Sequence, residues 1–175
     1  MRRFLIVCGL LPALLLHCPG GVLAKGPREP PAQTRAVLAG VDIPTSEVAL
    51  HHCHDLMYPV YTCFQTEAER DADALALSAG IALGPLSTTG FTYALAYEAI
   101  DYGGNSLLIS TSIPDLGTLG WNNRISSFKS TNGGHPKWWA GVAYSGLAWQ
   151  WGVSAWVPYV GSGANDQFSS VMNVP

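Results

Sequence analysis

Apolar and polar positions change rhythm twice along the chain. At the start, Met1-Arg2-Arg3 precedes an apolar stretch from Phe4 to Leu16, and Val22-Leu23-Ala24 follows just before Lys25. That order predicts a secretory signal peptide over residues 1–24. The stretch is too short for a stable bilayer anchor, and nothing later reaches the roughly 18 consecutive apolar residues that spanning needs. Cys18 offers a lipidation alternative, against which His17 stands where a small residue is expected. From Phe91 onward, short runs rich in β-branched and aromatic residues, such as Phe91 to Tyr97 and Ser106 to Thr111, are separated by Gly, Asn, Asp and Pro clusters. This pattern predicts strands, and about 85 residues suffice for one two-sheet sandwich with its own core. Between these regions the rhythm is weaker. Gly26-Pro27-Arg28-Glu29-Pro30-Pro31 predicts an extended linker. Thr66 to Ala79 predicts a helix with Thr66 as N-cap, Glu67 and Glu69 in its first turn, and Gly80 as its stop. Residues 25–90 as a whole read as a loosely structured linker region, with a packed subdomain as the equal alternative.

Composition sharpens the boundary near residue 90, because all six tryptophans and five of the seven tyrosines lie beyond it. Removing residues 1–24 takes away Arg2 and Arg3 but no acidic residue, so the formal charge moves from −3 to −5. Such a chain lacks the positive surface that phosphate recognition requires, and nucleic acid is excluded as the expected partner. Of the four cysteines, Cys53 and Cys63 remain after the signal peptide. In an exported chain they are expected to form one disulfide across a short loop. The competing reading takes His51-His52-Cys53-His54-Asp55 as a metal cluster, although adjacent residues cannot all face one ion.

The β-rich half repeats itself. The first copy holds Tyr97, Tyr102 and Gly104, and later Asn122-Asn123-Arg124-Ile125-Ser126-Ser127; the second holds Trp139, Tyr144 and Gly146, and later Asn165-Asp166-Gln167-Phe168-Ser169-Ser170. A glycine after an aromatic turn lets the backbone fold back with positive φ, and a serine hydroxyl can then bond to the folded hairpin. An Asn/Asp pair followed shortly by Ser gathers the hard oxygen donors that calcium prefers, although the same residues also serve as structural turns.

On these two motifs the chain resembles the βγ-crystallin family, and within it the secreted bacterial members that include metalloproteinase inhibitors and killer-toxin-like proteins. The family pairs an aromatic hairpin ending in glycine with the segment [Asn/Asp]-[Asn/Asp]-x-x-[Ser/Thr]-Ser. The resemblance covers about half of the chain and implies an all-β fold of two Greek-key motifs packed as a two-sheet sandwich over residues 91–175. It also implies two reciprocal calcium sites, each taking a backbone carbonyl from the hairpin of the other copy. Carried over, one site uses Asn122, Asn123 and Ser126 with the carbonyl of Ala140, and the other uses Asn165, Asp166 and Ser169 with the carbonyl of Glu98. Arg124 and Gln167 lend backbone carbonyls only. Asp166 is the single carboxylate in the two segments, so the expected affinity is that of extracellular modules, roughly 10⁻⁴ to 10⁻³ M or somewhat tighter.

No catalytic motif accompanies this pattern: there is no Gly-x-Ser-x-Gly, no His-Glu-x-x-His and no phosphate-cradling glycine loop. The expected function is therefore a secreted, non-enzymatic calcium-binding module whose metal stabilises the fold. Two alternatives name a partner. One is a secreted protease held by an inhibitory loop, although residues 91–175 contain no cysteine to brace such a loop. The other is a cell-surface glycan stacked on Trp138, Trp139, Trp149 and Trp151.

Overall fold

The computed structural model describes residues 33–82, 93–131 and 133–173. The predicted signal peptide, the Pro-rich opening and residues 83–92 lie outside them. From Arg35 the chain forms strands β1 (Arg35–Leu38) and β2 (Val41–Ile43), a 3-10 turn over Thr45–Leu50, strands β3 (His52–Met57) and β4 (Val60–Phe64), and helix α1 (Glu67–Ala82). The first repeat copy supplies β5 (Tyr93–Tyr97), β6 (Ser106–Ile109) and β7 (Ser127–Thr131). The second supplies β8 (Lys137–Gly141), β9 (Ser145–Gln150), β10 (Trp156–Val157) and β11 (Ser170–Met172). They build an eight-stranded sheet, β10-β7-β5-β6-β3-β4-β1-β2, and a three-stranded sheet, β11-β8-β9.

Each repeat copy is a Greek key whose third segment crosses to the other sheet. β10 of the second copy pairs antiparallel with β7 of the first. In return, Ile113 of the first copy exchanges two backbone bonds with Val171 in β11, at 2.8 and 3.0 Å. Neither key completes its sheet without the other, and their apolar faces enclose a common core that includes Trp121, Ile125, Phe128, Trp138, Phe168 and Val171, all fully buried. Trp138 stacks on Phe168 with ring centroids 5.1 Å apart, and Trp151 meets Phe128 edge-on at 5.1 Å. The two-key, two-sheet arrangement is the one the repeat predicts.

Both keys turn on a hairpin that ordinary residues avoid. Asp101 and Tyr102 have φ of 54° and 63°, Ala143 and Tyr144 have 51° and 59°, and Gly104 and Gly146 follow at 75° and 79°. A left-handed conformation costs a non-glycine residue roughly 1–2 kcal/mol. The second serine of each repeat segment offsets that cost. Ser127 Oγ donates to Ala99 O at 2.6 Å and accepts from Tyr102 N at 3.1 Å. Ser170 Oγ donates to Gly141 O at 2.7 Å and accepts from Tyr144 N at 3.1 Å. The paired aromatics close each hairpin edge-on, Tyr97 with Tyr102 at 5.7 Å and Trp139 with Tyr144 at 5.4 Å.

The described part of residues 25–90 is ordered, and its four strands have no counterpart in the sequence reading. β3 joins the open side of β6 in parallel, with His52 opposite Ser106 and His54 opposite Leu108. β4, β1 and β2 extend the sheet outward from β3. The expected disulfide is present: Cys53 and Cys63 face each other across β3 and β4 and are bonded. The expected helix is present as well. Thr66 caps it by accepting from Glu69 N at 3.3 Å, while Glu69 Oε2 accepts from Thr66 N at 3.0 Å, a reciprocal capping box. Gly80 does not stop the helix, which runs on to Ala82. One interior glycine costs about 1 kcal/mol relative to alanine, too little to end a helix by itself.

The helix is fastened by polar groups rather than by an apolar stripe. Arg70 is fully buried and reaches Ser106 Oγ, Glu67 and Asp71. His52 Nδ1 shares Ser106 Oγ at 2.8 Å, and Tyr97 donates its hydroxyl to Glu67 at 2.7 Å. His54 bonds Asp73 at 2.8 Å, and buried Asp55 accepts from the backbone of Ser110 and Thr111. With Cys53 in the disulfide and His52, His54 and Asp55 in structural bonds, the run His51-His52-Cys53-His54-Asp55 does not gather as a metal cluster among the described residues.

Two outcomes follow from these bonds. Ser127→Ala and Ser170→Ala each leave a tyrosine amide and a carbonyl without their partner, and each is expected to cost roughly 1–3 kcal/mol in denaturant unfolding; a loss below about 0.5 kcal/mol would show that the hairpins stand without the hydroxyl. The second concerns pH. Burial, and then the Arg70 charge, lower the pKa of His52 below 6.5. Burial pushes Glu67 up, but bonds from Tyr97 and Arg70 outweigh it and leave its pKa below 4.5. Both groups hold protons less tightly when folded, so their contribution is full above the unfolded values and is lost as pH falls, first through His52 and then through Glu67. The melting temperature should drop between about pH 7.5 and about pH 5.5, and His52→Asn should flatten that slope; an equal slope in the variant would assign the pH response elsewhere.

Candidate metal centre

The segments 122–126 and 165–169 lie side by side although their corresponding positions are 43 residues apart in the chain. Asn123 N donates to Phe168 O at 2.9 Å, and Asp166 N donates to Ile125 O at 3.4 Å. Asn123 and Asp166 share a left-handed backbone, with φ of 56° and 55°. Ser126 O accepts from Val160 N at 3.0 Å, and Ser169 O from Leu116 N at 2.8 Å, so each segment is also held by a loop of the opposite copy. These paired bonds relate the two segments by an approximate twofold.

Burial grades the oxygen donors within each segment. Ser126 and Ser169 are buried, Asn165 is half-buried, and Asn122, Asn123, Asp166 and Gln167 are exposed. Ile125 and Phe168, fully buried, anchor the segments to the core. Each candidate cup of donors thus joins a buried serine to amide or carboxylate groups that are mostly exposed. Asp166 Oδ1 stands 3.5 Å from Ser126 Oγ, across the copy boundary. Its other oxygen accepts from Asn165 Nδ2 at 2.7 Å, and Asn165 Oδ1 is buried without a hydrogen-bond partner. Among the described residues no three His, Cys, Asp or Glu side chains gather as a metal cluster. The donors here are instead amide, hydroxyl and carboxylate oxygens, hard ligands that suit calcium and not the softer transition metals.

The hairpins are apportioned differently from the expectation. Ser126 N donates to Tyr97 O at 3.0 Å, which seats segment 122–126 beside Glu98, and the Arg124 guanidinium pairs with the Glu98 carboxylate. Ser169 N donates to Trp139 O at 2.8 Å, which seats segment 165–169 beside Ala140. Ala140 was expected to serve Asn122, Asn123 and Ser126, and Glu98 to serve Asn165, Asp166 and Ser169. The structure keeps each segment on the hairpin of its own copy and lets Asp166 make the crossing. The Arg124 charge, which would oppose a cation, is compensated by Glu98.

Of the four tryptophans considered as a stacking platform, Trp139 is half-buried and meets Tyr144 edge-on. Trp138 is fully buried, and Trp149 and Trp151 are half-buried against Phe168 and Phe128. The exposed indole is Trp156, which the sequence reading did not single out; it lies over Lys129 at 5.2 Å. Asn105 also went unremarked. Its side chain donates to Ala49 O at 3.1 Å and contacts Glu98 Oε2 at 3.4 Å, a role that no local sequence signal marks.

No protein-family model matches the chain, and no curated protein matches it. Similar solved structures include a βγ-crystallin domain from Clostridium beijerinckii, 27% identical, covering 46% of this chain and 95% of its own, with a TM-score of 0.42. An archaeal βγ-crystallin is 25% identical and covers 47% of this chain and 98% of its own, with a TM-score of 0.43. A structure concerned with the evolution of the eye lens βγ-crystallin fold is 18% identical and covers 51% of this chain and 92% of its own, with a TM-score of 0.46.

Proposed function

We propose that the protein is an exported, non-enzymatic calcium-binding module, in which the ion joins the two Greek keys and stabilises them. The observation that carries this reading is the approach of Asp166 Oδ1 to Ser126 Oγ, 3.5 Å apart and drawn from different copies. A carboxylate and a hydroxyl from two keys at that distance offer hard oxygens to one cation. By the approximate twofold, the second cup takes Ser169 with Asn123. The hairpin residues Glu98 and Ala140 then stand beside the first and second cups, and Asn122, Arg124, Asn165 and Gln167 line the rims. Asn165 Oδ1, buried and unpartnered, is a further oxygen donor without an intramolecular claim on it. A ligand that binds only the folded chain at about a hundred times its Kd adds about 2.7 kcal/mol of stability.

Calcium titration by calorimetry, with melting in calcium and in chelator, tests the reading. Two binding events and a melting temperature several degrees higher in calcium are expected. Asp166→Ala and Ser126→Ala should weaken the same event, each by about tenfold or more, while Ser169→Ala should weaken the other. Absence of heat together with an unchanged melting temperature would reduce both segments to structural turns. Loss of different events in Asp166→Ala and Ser126→Ala would disprove the crossing.

A further inference from the structure

The two copies are not braced alike. In the first, the 3-10 turn Thr45–Leu50 runs along the hairpin and the segment that follows it. Asn105 Nδ2 donates to Ala49 O at 3.1 Å and reaches Glu98 Oε2 at 3.4 Å, and Glu98 in turn holds Arg124. Two residues before Asn122, Gly120 adopts φ of 73°, and a methyl group there would run into the carbonyl oxygen of Ser46 and meet Ala49 Cβ at 3.2 Å. Just past the turn, β3 pairs with β6 beginning at His52 opposite Ser106.

At the matching positions of the second copy none of this exists. Glu98, Asn105, Gly120 and Arg124 correspond by the repeat spacing to Ala140, Leu147, Gly163 and Gln167. Leu147 is 66% exposed, a methyl at Gly163 would meet nothing within 4 Å, and β9, the counterpart of β6, ends its sheet with no strand beyond it among the described residues.

We propose that residues 35–82 act as an internal brace for one cup of the pair, with Asn105 and Gly120 as the positioning residues through which it acts. The brace holds the Glu98 hairpin and the 122–126 segment in place before any ligand arrives, so that less ordering remains to be done on binding. This consequence for binding rests on the calcium reading: the cup of Ser126 and Asp166 takes calcium more tightly than the cup of Ser169. The brace itself does not depend on calcium, and the metal-free protein reports on it.

The test uses the whole chain without its first 24 residues. In metal-free hydrogen exchange, the Ser126 amide should be protected about tenfold or more above the Ser169 amide, its counterpart in the second copy. Asn105→Leu, which installs the residue found at the matching position, and Gly120→Ala should erase that difference, whereas Gly163→Ala should leave it. In calorimetry Asn105→Leu should weaken the event assigned to Ser126 about tenfold and leave the other within about twofold, whereas Gly120→Ala, which also disturbs the segment that carries Asn123, should weaken both. Equal protection of the two amides in the unsubstituted protein would overturn the brace, as would a uniform loss at both cups in Asn105→Leu. Absence of calcium heat combined with unequal protection would remove the calcium reading and keep the brace.

Discussion

One hydroxyl per key holds the fold's least favourable backbone. The hairpins at Asp101-Tyr102 and Ala143-Tyr144 each place two consecutive non-glycine residues in the left-handed region. That conformation persists only where the surroundings over-determine it. Ser127 and Ser170 satisfy a carbonyl on one side of the bend and an amide on the other. Because each serine belongs to the strand that follows an oxygen-rich segment, locking the hairpin also fixes where that segment ends. The positions of Ser126 and Ser169, one residue earlier, are consequences of the lock. Turn geometry and candidate metal site are therefore parts of one mechanical unit, repeated twice.

Exchange of the third segments couples the two units. β10 completes the first sheet from the second copy, and Ile113 completes the second sheet from the first. A core of interleaved tryptophan and phenylalanine rings fills the space between, so neither key keeps its hydrophobic face if the other departs. The crossing of Asp166 toward Ser126 repeats this reciprocity at the surface. An ion shared there would tie together two keys that already share strands and a core.

The repeat was legible because its residue types answer local demands: glycine for positive φ, aromatic rings to cover a bend, serine to bridge it. Spacing alone preserves such demands, whichever strands come between. The packing of residues 35–82 was not legible, because its strands are three to six residues long and their partners are remote. β3 reads His-Cys-His-Asp-Leu-Met, a polar run, yet Cys53, His54 and Asp55 are all fully buried. What makes those positions interior is a helix carrying Arg70, a serine on β6 and a disulfide partner on β4, none of which a window of neighbouring residues contains. The division of the candidate site had the same limit. Both Asn/Asp segments could be named from the sequence, but which hairpin each one meets is set by the pairing of β7 with β5 and of β11 with β8, and that is a tertiary fact.

Charge accounts for how the site can be built with so little of it. Asp166 is the single carboxylate in the two segments, and the one cationic side chain in them, Arg124, is paired with Glu98. Asn165 fixes one oxygen of Asp166, leaving the other directed toward Ser126. On the calcium reading, a cation placed there would meet a carboxylate oxygen already positioned, and modest ligand charge would be offset by that prior positioning. The second cup lacks both the carboxylate and the brace, having Asn123 in place of Asp166 and an open edge at β9 in place of β3. Two nearly symmetrical backbones are thus furnished unequally: the exchange of Asn123 for Asp166 belongs to the repeat itself, and the open edge belongs to what is packed beside each key.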